Sequence, residues 1–233
     1  MGGSVCLSRG STLLATRIGD PAVSHSNSLL NDIDGCLGKA EVSLGDVDLL
    51  AAASGPGSFT GLRIGLATVK ALAATLRISC VGIPTLHAVA HAAGPATATV
   101  ALLPAGRGEV FLQLLSVSPD GRVSPLDEPA HLTPHNVLEK YGSFRTLKWS
   151  GPGAHLHRNL LESYAREQGI NFDSESLPET QLFQGWRLAL AQKNLSEQVA
   201  ALALQKFKSN EVGDPLSLSA IYVRPSDAEL KCL

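Results

Sequence analysis

The stretch "SGPGSFTGLRIGLATVKALAATL", Ser54–Leu76, sets three glycines and a proline between an apolar run and a long helical pattern. A strand, a glycine-rich turn and a helix start make an anion site, because free N–H groups and the positive end of the helix dipole meet at one spot. Gly57, Ser58 and Thr60 are the residues that would cradle a phosphate there. The same glycines also serve a tight turn, and Ser58 or Thr60 an N-cap. A GxxxxGK[ST] phosphate loop is not met, since Leu62 and Arg63 follow Gly61 and the next lysine is Lys70. Nor is the GxSxG pattern that would make Ser58 a nucleophile. His87 and His91 stand at a spacing that puts both on one helix face, where two imidazoles can bind zinc. The glutamate that HExxH chemistry needs is replaced by Ala88. Arg107 and Glu109 can form a polar pair at a cleft between lobes or a solvated turn. His25 heads a helix, which it can cap.

Those residues sit in a chain of ordinary globular composition. Of 233 residues, 44% are hydrophobic and 17% charged, and the formal net charge is −2. That balance argues against a large autonomous nucleic-acid surface. Cys6, Cys36, Cys80 and Cys232 form no CxxC pair, so they read as buried thiols rather than zinc ligands or a disulfide framework. By composition no stretch reaches the roughly 18 apolar residues of a membrane helix. The start lacks a signal-peptide layout, so a cytoplasmic protein without membrane contact is expected.

Periodicity supplies the elements. "GGSVCLSRGSTLLATRIG" reads as two strands around a glycine turn, and Asn27–Lys39 as a helix with Leu29, Leu30, Ile33 and Leu37 on one face. Asp48–Ala53, Ser79–Ile83, "TATVALLPA", Glu109–Val117 and "RTLKWSG" read as strands; Thr60–Leu76, Thr85–Ala93 and Ala154–Gln168 read as helices. "SPDGR" is a hairpin turn. "LTPHNVLEKYG" is a helix capped by Thr133, opened by Pro134 and stopped by Gly142. Gln181–Gln192, with a stripe of Leu182, Phe183, Trp186 and Leu190, and Leu195–Lys208 are expected to form a helical pair. The order is mixed α/β, with a boundary expected between an N-terminal lobe, residues 1–94, and a C-terminal lobe, residues 95–233.

Thr60–Leu76 is about 25 Å long at 1.5 Å per residue. Its charges are Arg63 and Lys70; Gly61, Gly65, Ala67, Ala71, Ala73 and Ala74 are small. A helix apolar nearly all round must bury nearly all round. It is either fully internal or an interface whose small residues admit a second backbone.

"GPGSFTGLRIG", Gly55–Gly65, resembles the signature of the TsaB (YeaZ) family. "HSNSLL" ahead of it, "GIPTLHAVA" and "GRGEVF" behind it, and the tail "YVRPSDAEL" follow in the same order. The resemblance implies a subunit for making threonylcarbamoyladenosine beside the tRNA anticodon. It implies an actin/Hsp70-like (ASKHA) ATPase fold of two lobes, similar to the catalytic subunit TsaD without its active site. Such a subunit is TsaD's dimerisation partner, works with the ATPase TsaE and meets tRNA only through the complex. No catalytic residue or cofactor is then expected in this chain; ATP and metal belong on the partners, with a nucleotide able to lodge at the joint. The implied interface is the first two helices: Leu29, Leu30, Ile33 and Leu37, then Gly61, Arg63, Gly65, Leu66, Val69 and Lys70. Without the partner the same helices can form a homodimer. The alternative is an actin-like ATPase or glycoprotease-like metallopeptidase acting alone.

Two departures stand out. The family's opening "ILAIDTS" strand, central in actin-like folds, has no counterpart ahead of "GGSVCL". The expectation is a truncated start, or a sheet whose gap is filled another way. The family's "DAR" segment reads "PAGRGEVF" here, with Pro104 for the aspartate. Both lower the expectation of independent nucleotide chemistry.

Overall fold

The chain divides into two units, Met1–Ala88 with Lys193–Tyr222 and Val89–Gln192 with Val223–Leu233. The structure, a computed structural model, describes residues 3–19, 25–174 and 184–224. The division falls inside a helix just before the boundary expected at residue 94. The segment after Gln192 returns to the first unit instead of completing a C-terminal lobe.

In the first unit, β1 (Ser4–Arg9) and β2 (Thr12–Ile18) form an antiparallel hairpin. The helix α1 (His25–Ala40) follows, then β3 (Leu49–Gly55), α2 (Phe59–Leu76) and β4 (Ser79–Pro84). β3 and β4 pair in parallel, as a strand–helix–strand crossover requires. The hairpin and this pair are separate two-stranded sheets. The last helix, α7 (Ser196–Lys208), packs on both β1 and β3. Between α2 and β4, Leu66, Ala73, Cys80 and Leu218 make a small core.

α3 (Thr85–Ala92) leads into the second unit. Here β5 (Ala96–Gly106) and β6 (Glu109–Val117) pair antiparallel around a turn in which Gly106, Arg107 and Gly108 all have positive φ. β7 (Val123–Pro125) and β8 (Ala130–Leu132) pair with β6, on segments the periodicity did not mark as strands. Three strands extend the other side in parallel, in the order β9 (Leu147–Ser150), β11 (Trp186–Leu188), β10 (Phe172–Ser174). α4 (Pro134–Tyr141) carries the expected Thr133 cap, whose hydroxyl accepts from the Asn136 N–H at 3.3 Å.

Two expected helices are corrected. The described part of Gln181–Gln192 holds a strand, β11 (Trp186–Leu188), and no helix; Leu182 and Phe183 lie outside the described residues, and Leu190 is exposed. Trp186 and Leu188 alternate inward at period two, and pairing with β9 satisfies their backbone where a helix would leave the sheet edge open. Trp186 packs edge-on against Trp149 at 4.9 Å, stacks on Tyr164 at 5.7 Å and donates its indole N–H to the Phe144 carbonyl at 2.8 Å. Ala154–Gln168 is two helices, α5 (Pro152–Leu156) and α6 (Arg158–Glu167), broken at His157.

Gly151 starts α5 with φ +94°, and a Cβ there would press on the Leu102 carbonyl oxygen and lie 2.7 Å from Val89 Cγ1. Gly151→Ala is expected to cost about 2 kcal/mol through backbone strain, lowering Tm by roughly 4–8 °C, as a thermal melt would read. Burial lowers the pKa of His157 and of His91. His157 Nε2 and His91 Nδ1 are buried without a hydrogen-bond partner among the described residues. A depressed imidazole pKa gives stability that is full above the unfolded value, about 6.5, and is lost as pH falls through the folded value. Urea midpoints are therefore expected to drop below pH 6.5, less steeply in His157→Gln.

Candidate partner-binding site

The loop from β3 into α2 is shaped by close backbone approach. Gly55 has φ +112°, and a Cβ on it would lie 2.5 Å from the Ile221 carbonyl oxygen. The Ile221 N–H in turn donates to the Ser54 carbonyl at 2.7 Å. Only glycine tolerates both conditions. Ser58 is the N-cap of α2, its hydroxyl accepting from the Gly61 N–H at 3.3 Å. One of the free helix donors an anion would use is thus satisfied internally. Gly57 and Thr60 are exposed beside it. Arg63 lays its guanidinium 3.7 Å from the centre of the Phe59 ring and donates from Nε to the Tyr222 hydroxyl at 3.3 Å. Phe59 and Tyr222 are 5.5 Å apart. Tyr222 is half exposed, so the first turn of α2 presents an arginine and two aromatic rings together.

The rest of α2 is apolar yet little covered. Leu66 and Ala73 are its buried residues. The expectation that no segment could cross a membrane needs correction, because Phe59–Leu76 is long and apolar enough by length and composition. Counting contiguous apolar residues missed it, since Arg63, Lys70, glycines and threonines interrupt the run without offsetting its hydropathy.

The ten residues expected at an interface fall on different faces. Leu30, 65% exposed, and Arg63 point outward. Leu29 and Leu66 are buried. Ile33, Leu37, Gly61, Gly65 and Val69 line an apolar cavity of about 920 Å³ inside the first unit, and Lys70 is half-buried. The outward stripe of α2 is Thr60, Arg63, Ala67, Ala71 and Ala74. On α1 it is Leu30, Asn31, Asp34 and Gly38. α1 and α2 are neighbours. The alanine spacing, three to four residues apart, was the available signal for the outer face; weighting large side chains pointed to the inner one.

His87 has its pKa lowered by burial and by nearby Lys206, a neighbour that also disfavours a metal cation. Among the described residues no group of three or more His, Cys, Asp or Glu side chains is placed to hold a metal. Glu109 Oε2 lies 3.0 Å from His131 Nε2 and 3.7 Å from Arg224 Nη1. Cys36 and Cys80 are buried and free, and burial pushes Cys6 up to about 11. Cys232 and the capping expected of the His25 side chain lie outside what is described.

Comparison with known proteins places this geometry. The family model for TsaD, tRNA N6-adenosine threonylcarbamoyltransferase, matches residues 21–208. The tRNA threonylcarbamoyladenosine biosynthesis protein TsaB of Escherichia coli is 36% identical over 90 residues, 37% of this chain and 39% of the relative. TsaB of Haemophilus influenzae is 36% identical over 91 residues, 38% and 39%. A tRNA N6-adenosine threonylcarbamoyltransferase of Protochlamydia amoebophila is 42% identical over 69 residues, 30% of this chain and 20% of the relative. The chain thus spans well under half the length of these curated relatives. The solved structure of YeaZ from Pseudomonas aeruginosa superposes with a TM-score of 0.70 at 22% identity, over 94% of this chain and 93% of that one. The fold is therefore the actin-like, ASKHA-type fold of YeaZ. With the family model spanning most of its length, the chain belongs to the TsaD family, and its likeness there runs to the TsaB (YeaZ) proteins.

Proposed function

We propose that this chain is a non-catalytic subunit of a tRNA threonylcarbamoyladenosine-forming assembly, and that it docks a TsaD-like catalytic subunit through the outer faces of α1 and α2. The carrying observation is α2 itself, an apolar helix of 18 residues whose outward stripe is alanine. Small residues let a partner helix come close, and burial of apolar area supplies about 25 cal/mol per Å². Arg63, Phe59 and Tyr222 at one end are the residue types that concentrate binding energy in interfaces. ATP, metal and tRNA chemistry sit on the TsaD-like and TsaE-like partners, with room for a nucleotide where the subunits join. The assembly works in the cytoplasm, and α2 meets protein rather than lipid.

Ala71→Trp and Ala67→Arg are expected to weaken binding of a TsaD-like subunit at least tenfold by titration calorimetry, while Tm stays within about 2 °C. Unchanged binding by both would remove α2 from the interface, and ATP turnover by the chain alone would overturn the non-catalytic assignment. Leu66→Asp is unsuitable as a probe, since it buries a charge in the core beneath α2. Light scattering is expected to show any homodimer dissociating as the partner is added, because both use one face. A homodimer that persists in the complex would place the partner elsewhere.

A further inference from the structure

A smaller cavity, of about 290 Å³, lies within the first unit at the outer edge of β4. Two backbone ties bound it. Cys80 is bonded to Gly213 in both directions, its N–H donating to the Gly213 carbonyl at 3.2 Å and its carbonyl accepting from the Gly213 N–H at 3.3 Å. Further along, the Ile221 N–H donates to the Ser54 carbonyl at 2.7 Å. Successive residues of a strand turn their N–H and C=O to opposite sides. With Cys80 facing outward, Val81 faces β3 and Gly82 faces outward again. Among the described residues the Gly82 N–H and C=O have no hydrogen-bond partner, and Gly82 lines the cavity. A Cβ on Gly82 would stand 3.0 Å from Leu218 Cδ1 and 3.1 Å from Ser54 Cβ, so glycine keeps this space open.

The wall carries one charge of each sign. α7 ends in a turn at Asn210, φ 58°, where the Glu211 N–H donates to the Lys206 carbonyl at 2.8 Å. That turn brings Lys206 and Glu211 to the same cavity. Among the described residues neither side chain makes an ion pair, with the other or with a third group. Ser54 and Ser219 add hydroxyls. Lys206 and the Gly82 N–H would attract an inorganic anion, but Glu211 and the Gly82 carbonyl oppose it; a metal cation meets the reverse. An added strand has no room, since the two ties leave Gly82 as the outward-facing residue between them.

We propose that this cavity binds a small free α-amino acid. The ligand carboxylate accepts from the Lys206 ammonium and the Gly82 N–H. The ligand ammonium donates to the Glu211 carboxylate and the Gly82 carbonyl. Each end of the zwitterion thus meets one opposite charge and one backbone group, and bonds to charged groups are the stronger ones. The ligand side chain faces the Ser54 and Ser219 hydroxyls. The volume equals that of roughly ten waters at about 30 Å³ each, which suits glycine, alanine, serine or threonine and is small for an aromatic amino acid. The site uses none of the residues on the outer faces of α1 and α2 and does not rest on the docking proposed for them.

The probes are glycine, L-alanine, L-serine and L-threonine, titrated into the whole isotope-labelled chain and followed by NMR. At least one is expected to saturate with a Kd below about 1 mM and to shift the Gly82 amide resonance. For the tightest of them, the N-acetyl derivative, which lacks the ammonium, and the carboxamide, which lacks the carboxylate, are each expected to bind at least tenfold more weakly. Lys206→Ala and Glu211→Gln are each expected to weaken it at least tenfold with Tm unchanged, since both side chains stand at the surface end of α7 without an ion pair. Failure of all four probes to saturate, equal affinity for either blocked derivative, or unchanged affinity in either variant would overturn the proposal. Inorganic phosphate or zinc displacing the amino acid from the Gly82 amide would give the site to an ion and overturn the ligand class.

Discussion

The hydrogen bond from the Ile221 N–H to the Ser54 carbonyl, 2.7 Å long, ties the segment after α7 to the loop before α2. Much of the candidate surface depends on it. It fixes Tyr222 beside Phe59, and Arg63 then spans the two as a stacked cation and a hydrogen-bond donor. It also decides the loop's composition, because the Ile221 carbonyl occupies the place a side chain at position 55 would take. Leu218, on the same returning segment, closes the core under Leu66 and Ala73. One backbone contact thus couples the C-terminal segment, the glycine loop and the inner face of α2.

Seen through that contact, the glycine loop has a division of labour that the bare spacing left open. Gly55 is there for close approach at positive φ. Ser58 is there as a cap, and Gly61 provides the N–H it binds. The features that resemble a phosphate cradle are in part consumed by the helix itself. A helix N-terminus attracts anions through donors that remain free, so a nucleotide at this point would lean on groups a partner brings.

How far the sequence could be read depended on whether one period dominated. α1, α2, β6 and the Thr133-capped α4 follow from unambiguous spacing or turn chemistry. Trp186 shows the opposite case. It fits a helical stripe with Leu190 and a strand alternation with Leu188, and only pairing with β9, distant in sequence, decides between them. The break at His157 was hidden because both halves carry apolar residues at helical spacing. The return of Lys193–Tyr222 to the first unit is a long-range fact that no local pattern encodes. On α2 the apolar content was legible but its orientation was not: Gly65 and Val69, expected at a partner interface, line the cavity of the first unit.

The composition of α2 follows from its having two uncovered sides of different kinds. Toward the cavity of the first unit it presents Leu62, Gly65, Val69 and Leu72, large side chains around a gap at Gly65. Toward solvent it presents alanines bounded by Arg63 and Thr60. Small side chains on the outer face leave room for a second backbone to approach, and large ones on the inner face fill the space beneath the helix. The near-absence of charge along Phe59–Leu76 thus suits the cavity on its inner face, and on its outer face it suits the docking proposed for α2.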